Sequence, residues 1–172
     1  MEESKVAIGE LMDLYGKQLI NLAYTYCKDW GMAEDIVQEV FLNAYRKLDT
    51  FEGESSYKTW LYTITINKSK DFLRKPVRRE TFLQRVFFKV NQSQPTPEEV
   101  VVGKDDQSGL ASEVMTLPIK YREIIILYYY EELSTAEAAE LLRIPHSTAK
   151  TRLQRGRKLL RKQLEGCDYL AK

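Results

Sequence analysis

The chain has 172 residues, two cysteines, one histidine and a formal net charge of +1, from 26 Lys+Arg against 25 Asp+Glu. At 44% hydrophobic and 30% charged it is too apolar for a disordered chain; it has no apolar run near the ~18–20 residues of a membrane span, and its acidic Met1-Glu2-Glu3 start is unlike a signal peptide. Cys27, Cys167 and His146 are too few for a zinc site or a Cys/His catalytic centre, and Gly-rich phosphate loops are absent, so the expectation is a cytoplasmic protein of one or two small domains, without enzyme activity, metal or cofactor.

From Val6 to Cys27 the residues Ile8, Leu11, Met12, Leu14, Tyr15, Leu19, Leu22, Ala23 and Tyr26 recur at helical spacing. Gly31 breaks that pattern, and a second helix is predicted from Met32 to Leu48. Its apolar face is Ala33, Ile36, Val37, Val40, Ala44 and Leu48; Glu34, Asp35, Gln38, Glu39 and Asn43 lie opposite. Asp49 to Ser56 is turn-rich and reads as a loop. A third helix follows from Tyr57 to about Arg74, ended by Pro76. Here Tyr57, Trp60, Tyr62 and Phe72 are interleaved with Lys58, Lys68, Lys70, Arg74 and Lys75, with Asn67 between them. Aromatic faces stack on unpaired bases while lysines and arginines track phosphates. The same aromatics also fit a packed core, and by spacing alone that plainer reading is the commoner one.

A weaker amphipathic stretch runs from Thr81 to Val90, with Phe82, Leu83, Val86, Phe87 and Val90 on one side. Residues 91–97 read as a linker, Thr96-Pro97-Glu98-Glu99 as a helix start, and Val102 to Gly109 as a second polar break. The expected division is a domain over 1–76, a flexible linker over 77–108 and a domain over 109–172. In the last of these, Leu110 to Leu117 forms one short helix, and Pro118 opens another running through Tyr130. Ser134-Thr135-Ala136-Glu137 is a capping box ahead of Ala138, Ala139, Leu141 and Leu142. After Arg143-Ile144-Pro145-His146, Ser147 is expected to cap a longer basic helix reaching about Gln163. The fold expected is all-α: two small helical domains on a flexible linker, the C-terminal one a helix-turn-helix.

Ala149, Leu153, Gly156 and Leu160 should face the core of that domain, leaving Ser147, Thr148, Thr151, Arg152, Arg155 and Lys158 on the other side. The first turns of such a helix enter the major groove, where Arg can pair with guanine and Ser or Thr can meet bases or phosphates. From Arg143 to Lys162 there are eight bases and no acid. The charge is segregated along the whole chain: net −6 over 1–55, +7 over 56–92, −7 over 93–142 and +7 over 143–172. Basic blocks of this kind are the footprint of a polyanion partner.

Glu34-Asp35-Ile36-Val37-Gln38-Glu39-Val40-Phe41, Phe51-Glu52-Gly53-Glu54-Ser55-Ser56-Tyr57-Lys58-Thr59-Trp60-Leu61-Tyr62 and Ile66-Asn67 resemble region two of the extracytoplasmic-function sigma factors of bacterial RNA polymerase. Leu117-Pro118 through Leu133-Ser134, Ile144-Pro145, and Thr148-Ala149-Lys150-Thr151-Arg152 through Arg155-Gly156-Arg157 resemble region four. The resemblance covers most of the chain in the family's order. It implies a dissociable initiation subunit with no catalytic activity and no small-molecule substrate. By the resemblance, Glu34, Asp35, Gln38, Glu39 and Asn43 dock on the coiled coil of the polymerase β′ subunit. Phe51, Ser55, Ser56, Tyr57, Lys58, Trp60, Asn67, Lys70 and Arg74 read and melt the −10 element of promoter DNA. Ser147, Thr148, Lys150, Thr151, Arg152, Arg155 and Lys158 read the −35 element while their domain sits on the β flap. It also implies an anti-sigma factor, often membrane-bound, that would hold the protein inactive at the inner face of the membrane.

Two departures stand out. Ala138 and Ala149 replace the larger aliphatics usual in the family, which would loosen or repack the helix-turn-helix core, and the Arg78 to Val90 stretch has no family role. The alternative is an ordinary dimeric helix-turn-helix regulator, which would need a ligand-binding or dimerisation domain. A nuclease would need a third carboxylate or histidine beside Asp35 and Glu39.

Overall fold

A computed structural model of the chain describes residues 2–48, 51, 55–74 and 107–168, with side chains for residues 8–48, 51, 55–74 and 109–165. It divides into two compact units, Met1–Pro97 and Glu98–Lys172. The described residues form seven α-helices and no strand. None of the helices is long and apolar enough to cross a membrane. The Thr81–Val90 stretch, the 91–97 linker and the Thr96–Glu99 helix start lie outside the described residues.

In the first unit α1 (Glu2–Cys27), α2 (Trp30–Lys47) and α3 (Tyr57–Arg74) each pack on the other two. Leu19, Leu22 and Ala23 of α1, Ala33, Val40 and Ala44 of α2, and Leu61 and Ile66 of α3 are fully buried. Two residues expected on the apolar face of α1 are not there: Met12 is 48% and Leu14 61% exposed. Leu14 falls off the stripe that runs through Ile8, Leu11, Leu19 and Leu22, and Met12 stands on its border. On α2 the apolar face gains Phe41, while Leu48 is only half-buried.

The break between α1 and α2 lies earlier than Gly31. Lys28 takes a left-handed φ of 56° and returns its N–H to Tyr24 O at 2.8 Å. Asp29, extended, then caps α2, its Oδ1 accepting from Met32 N at 2.9 Å. An aspartate in this place satisfies an N-terminal amide of the helix, so Gly31 can sit inside the first turn. Trp30 stacks on Tyr24, ring centroids 4.0 Å apart, across the same corner. Ser56 opens α3 in the same manner, its Oγ accepting from Thr59 N at 3.1 Å.

In the second unit α4 (Gln107–Thr116) begins earlier than the expected start at Leu110. Leu117 and Pro118 lead into α5 (Ile119–Ile125), with Pro118 as N-cap. The chain then widens into a π-turn over Ile126–Tyr130, with Glu131 N–H returning to Ile126 O at 3.1 Å. Glu132, at a left-handed φ of 56°, leads out of it. The expected capping box is present on α6 (Thr135–Leu142): Ser134 Oγ accepts from Glu137 N, and Glu137 Oε2 accepts from Ser134 N. Arg143 ends α6 in the left-handed region, as a helix C-terminus commonly does.

Helix α7 (His146–Asp168) opens one residue before Ser147, with Ala149 N–H bonded to Pro145 O. Ser147 is therefore not its cap but part of the first turn; its carbonyl accepts from Thr151 Oγ1 at 2.9 Å. Helices α4, α5 and α6 all pack on α7. Gly156 permits the closest approach: a Cβ there would stand 2.9 Å from Ile125 Cδ1 and 3.4 Å from Tyr121 Cβ. Ala138 and Ala149 are fully buried beside Ile124, Leu127, Leu142 and Leu153 in the apolar core of the unit.

Candidate nucleic-acid interface

Helix α2 presents a split surface. Glu34, Asp35 and Gln38 are exposed, but Glu39 and Asn43 are half-buried. Glu39 Oε2 accepts from Lys68 Nζ of α3 at 3.0 Å, so this acid and this base tie two helices together. The open part of the face carries an apolar residue as well: Leu42 is 56% exposed and lies two turns along from Glu34 and Asp35. Its signal in the sequence is a leucine outside the Ala33–Ile36–Val37–Val40–Ala44 stripe. An acidic surface with one exposed leucine suits a basic partner that also offers an apolar patch.

The aromatics of α3 divide by helix face. Tyr62 and Phe72 are buried and belong to the core. Phe51, Tyr57 and Trp60 instead form a cluster outside it. Phe51 lies 4.8 Å from both other rings, and Tyr57 lies 6.5 Å from Trp60. Phe51 and Trp60 are half-buried and Tyr57 is exposed, so the cluster stands at the surface. Ser55 and Ser56 stand beside them, exposed, and Lys58 Nζ sits 5.4 Å from the Tyr62 ring centre. Further along, Asn67 and Lys70 are half-buried, and Arg74 is exposed, 3.9 Å from Asp71. Lys75 lies outside the described residues.

On α7 the expected core side holds: Ala149, Leu153 and Gly156 are buried and Leu160 is half-buried. Ser147, Lys150, Thr151, Arg155 and Lys158 are exposed, Thr148 is half-buried, and Gln154 is exposed among them. Gln154, three residues after Thr151, shares its face and was visible from the spacing alone. Arg152 differs from its neighbours. Its Nη1 donates to Glu123 Oε1 of α5 at 3.1 Å, and Glu123 is a side chain only 4% exposed. A cleft of about 300 Å³ opens between Lys120 and Tyr121 of α5 and Ser147, Thr151, Arg152 and Arg155 of α7. A wider groove continues along α7 past Lys158, Arg161 and Lys162.

Two more side chains of α7 serve the fold. Arg157 lies over the Tyr128 and Tyr129 rings of the π-turn, 5.3 and 5.4 Å from their centres. His146 Nε2 meets Thr135 Oγ1 at 2.9 Å, linking the two helices of the helix-turn-helix. Among the described residues no three His, Cys, Asp or Glu side chains come together as a metal site.

Each half of the chain matches a known protein family. Residues 11–79 match Sigma-70 region 2 and residues 110–160 match Sigma-70, region 4. The chain is 35% identical to the ECF RNA polymerase sigma factor SigW of Bacillus subtilis, over 92% of this chain and 89% of that one. It belongs to the extracytoplasmic-function sigma factors. SigX of the same organism is 33% identical over 90% of this chain and 82% of its own. Among solved structures, RpoE in complex with the anti-sigma factor NepR from Bartonella quintana aligns with a TM-score of 0.70 and 26% identity, covering 91% of this chain and 96% of that one. CnrH in complex with the cytosolic domain of CnrY aligns at 0.66 and 26%, covering 94% and 90%.

The sigma factor is thus a transcription-initiation subunit that works with RNA polymerase at promoters. Its three-helix unit carries region two and its helix-turn-helix unit carries region four. A dimeric regulator is not favoured, because the half in which it would carry a ligand-binding or dimerisation domain matches Sigma-70 region 2 instead.

Proposed function

We propose that this sigma factor, without catalytic activity of its own, acts in the cytoplasm with region two in residues 1–76, a linker over 77–108 and region four in 109–172. The exposed acids Glu34 and Asp35, with Gln38 and Leu42, dock on the β′ coiled coil of the polymerase, and Glu39 and Asn43 border that contact. Phe51, Ser55, Ser56, Tyr57 and Trp60 receive unpaired bases of the −10 element, while Lys58, Asn67, Lys70 and Arg74 follow its strand. On α7, Ser147, Thr148, Lys150, Thr151, Arg152, Arg155 and Lys158 meet the −35 duplex, with region four seated on the β flap. An anti-sigma factor holds the protein inactive between signals; the likeness to the sigma factor RpoE, solved with the anti-sigma factor NepR, supports this part of the reading.

One observation carries the proposal. The open acids of α2 and the open aromatics at the start of α3 belong to one three-helix unit but stand on different helices, so polymerase and unpaired bases can be held at once. The test is holoenzyme assembly. Glu34→Lys with Asp35→Lys places like charges against a basic partner, a juxtaposition that costs several kcal/mol. Glu39 is left intact because its bridge to Lys68 supports the fold. The double variant should keep its helix content and no longer co-elute with core polymerase. Normal co-elution would remove α2 from the docking surface.

A further inference from the structure

We infer that Glu123 is a positioning residue for duplex binding, and that the arginine it holds, Arg152, grips a backbone phosphate rather than a base. The inference rests on the reading of α7 as the −35 helix and assigns work within it. A carboxylate as buried as Glu123 needs a charged or hydrogen-bonding partner. It finds one in Arg152, which reaches it from the cleft side of α7 at 3.1 Å. Arg152 keeps 27% of its side chain exposed in that cleft, next to Lys120 and Arg155. Its guanidinium has five N–H donors. With Nη1 committed to Glu123, the remaining donors are left for an anion on the open side.

Position on the helix selects the anion. Ser147, Thr151, Gln154 and Lys158 form the stripe opposite the core, whereas Arg152 lies to its side, toward α5. When the first turns of a helix enter the major groove, residues on the central stripe face base edges and those at the flank face the sugar-phosphate backbone. Bidentate guanine reading needs a guanidinium edge free to enter the groove. Phosphate binding needs a fixed positive group, and an arginine already anchored at one end loses little freedom in supplying it.

The Glu123–Arg152 pair also takes part in setting α7 about its own axis. It holds one flank, the close contact of Gly156 with Ile125 holds the core side, and the His146–Thr135 hydrogen bond holds the flank facing α6. Glu123 thus acts on DNA only through Arg152 and the setting of the helix.

The experiment measures binding of reconstituted holoenzyme to a panel of promoter duplexes, each with one base pair of the −35 element changed, across a salt titration. Replacing Arg152 alone takes a charged partner from a buried carboxylate, so the main variant is Glu123→Gln with Arg152→Gln, a neutral pair that can still hydrogen-bond. It should weaken binding to every duplex by the same factor, leave their rank order unchanged and lower the log–log salt slope by about 1. Arg155→Ala, on the exposed side, should instead flatten the preference at one base pair. A second variant, Arg152→Lys, retains the charge and should weaken binding while keeping both rank order and slope. Loss of preference at one base pair in either Arg152 variant would make it a base reader and overturn the inference. Unchanged binding and slope in the neutral pair would make the contact purely structural, with the same effect. If Arg155→Ala also changes nothing across the panel, the −35 reading of α7 itself has failed, a result distinct from both.

Discussion

Burial decides the chemistry of Cys27. Its Sγ donates to Ala23 O and Asp29 O, and desolvation pushes the thiol up to about 11 from its usual 9.0, against the lowering effect of the Asp29 backbone hydrogen bond. The nucleophilic thiolate is therefore scarce at neutral pH. In a Cys167→Ser background, alkylation at pH 8 should be slow in the native protein and fast in denaturant; rapid native labelling would contradict the burial. The fold favours the protonated thiol, so its contribution to stability is complete below pH 9 and is lost as pH climbs toward 11. Tyr24 and Tyr130, raised by burial, act in the same direction. Gly156 gives a second test at this scale. Gly156→Ala gains about 1 kcal/mol of helix propensity but must displace Ile125 Cδ1, so the two effects should cancel to within about 1 kcal/mol. Gly156→Val adds atoms against Ile125 and Tyr121 and should cost about 2 kcal/mol in urea melts.

Elements are specified partly by caps, and these differ in how openly the sequence shows them. Ser134 through Glu137 spells a capping box, and the structure contains it. Asp29 was hidden, because Gly31 two residues later looked like the stronger break, while Lys28 took the left-handed position without being a glycine. The π-turn was hidden for another reason. Ile124 through Tyr130 is apolar or aromatic at every position, so no period can be read from it. Asp29→Ala should cost about 1 kcal/mol. Both tryptophans, Trp30 and Trp60, lie in the first unit, so their fluorescence reads its unfolding directly. An unchanged midpoint would mean the cap carries no energy.

Helix α3 shows the same limit at the candidate site. Its interleaved aromatics could be core or base-stacking surface by spacing; the fold buries Tyr62 and Phe72 and leaves Trp60 half-buried and Tyr57 exposed. Tyr62→Ala should therefore cost about 3–5 kcal/mol of stability. Trp60→Ala should cost clearly less, while reducing permanganate reactivity of the −10 thymines in open complexes. Equal loss of stability in both would return Trp60 to the core.

For the whole molecule the informative quantity is the charge pattern. A net charge of +1 hides four blocks with net charges of six or seven in alternating sign, and most bases of the last one lie on α7. The all-helical fold, the three-helix unit and the helix-turn-helix were legible because amphipathic stripes and capping signals recur along both halves. The surface partners were not: Glu39 with Lys68 and Arg152 with Glu123 each join residues 29 apart, a distance no local pattern reports. Run-off transcription with core polymerase and a promoter library tests the central claim most directly. Added protein should create discrete start sites sharing one −35 and one −10 sequence, lost with Glu34→Lys/Asp35→Lys, and permanganate reactivity at those sites should fall with Trp60→Ala. Transcripts identical with and without the protein, or a specific duplex footprint made by the protein alone as a dimer, would contradict it.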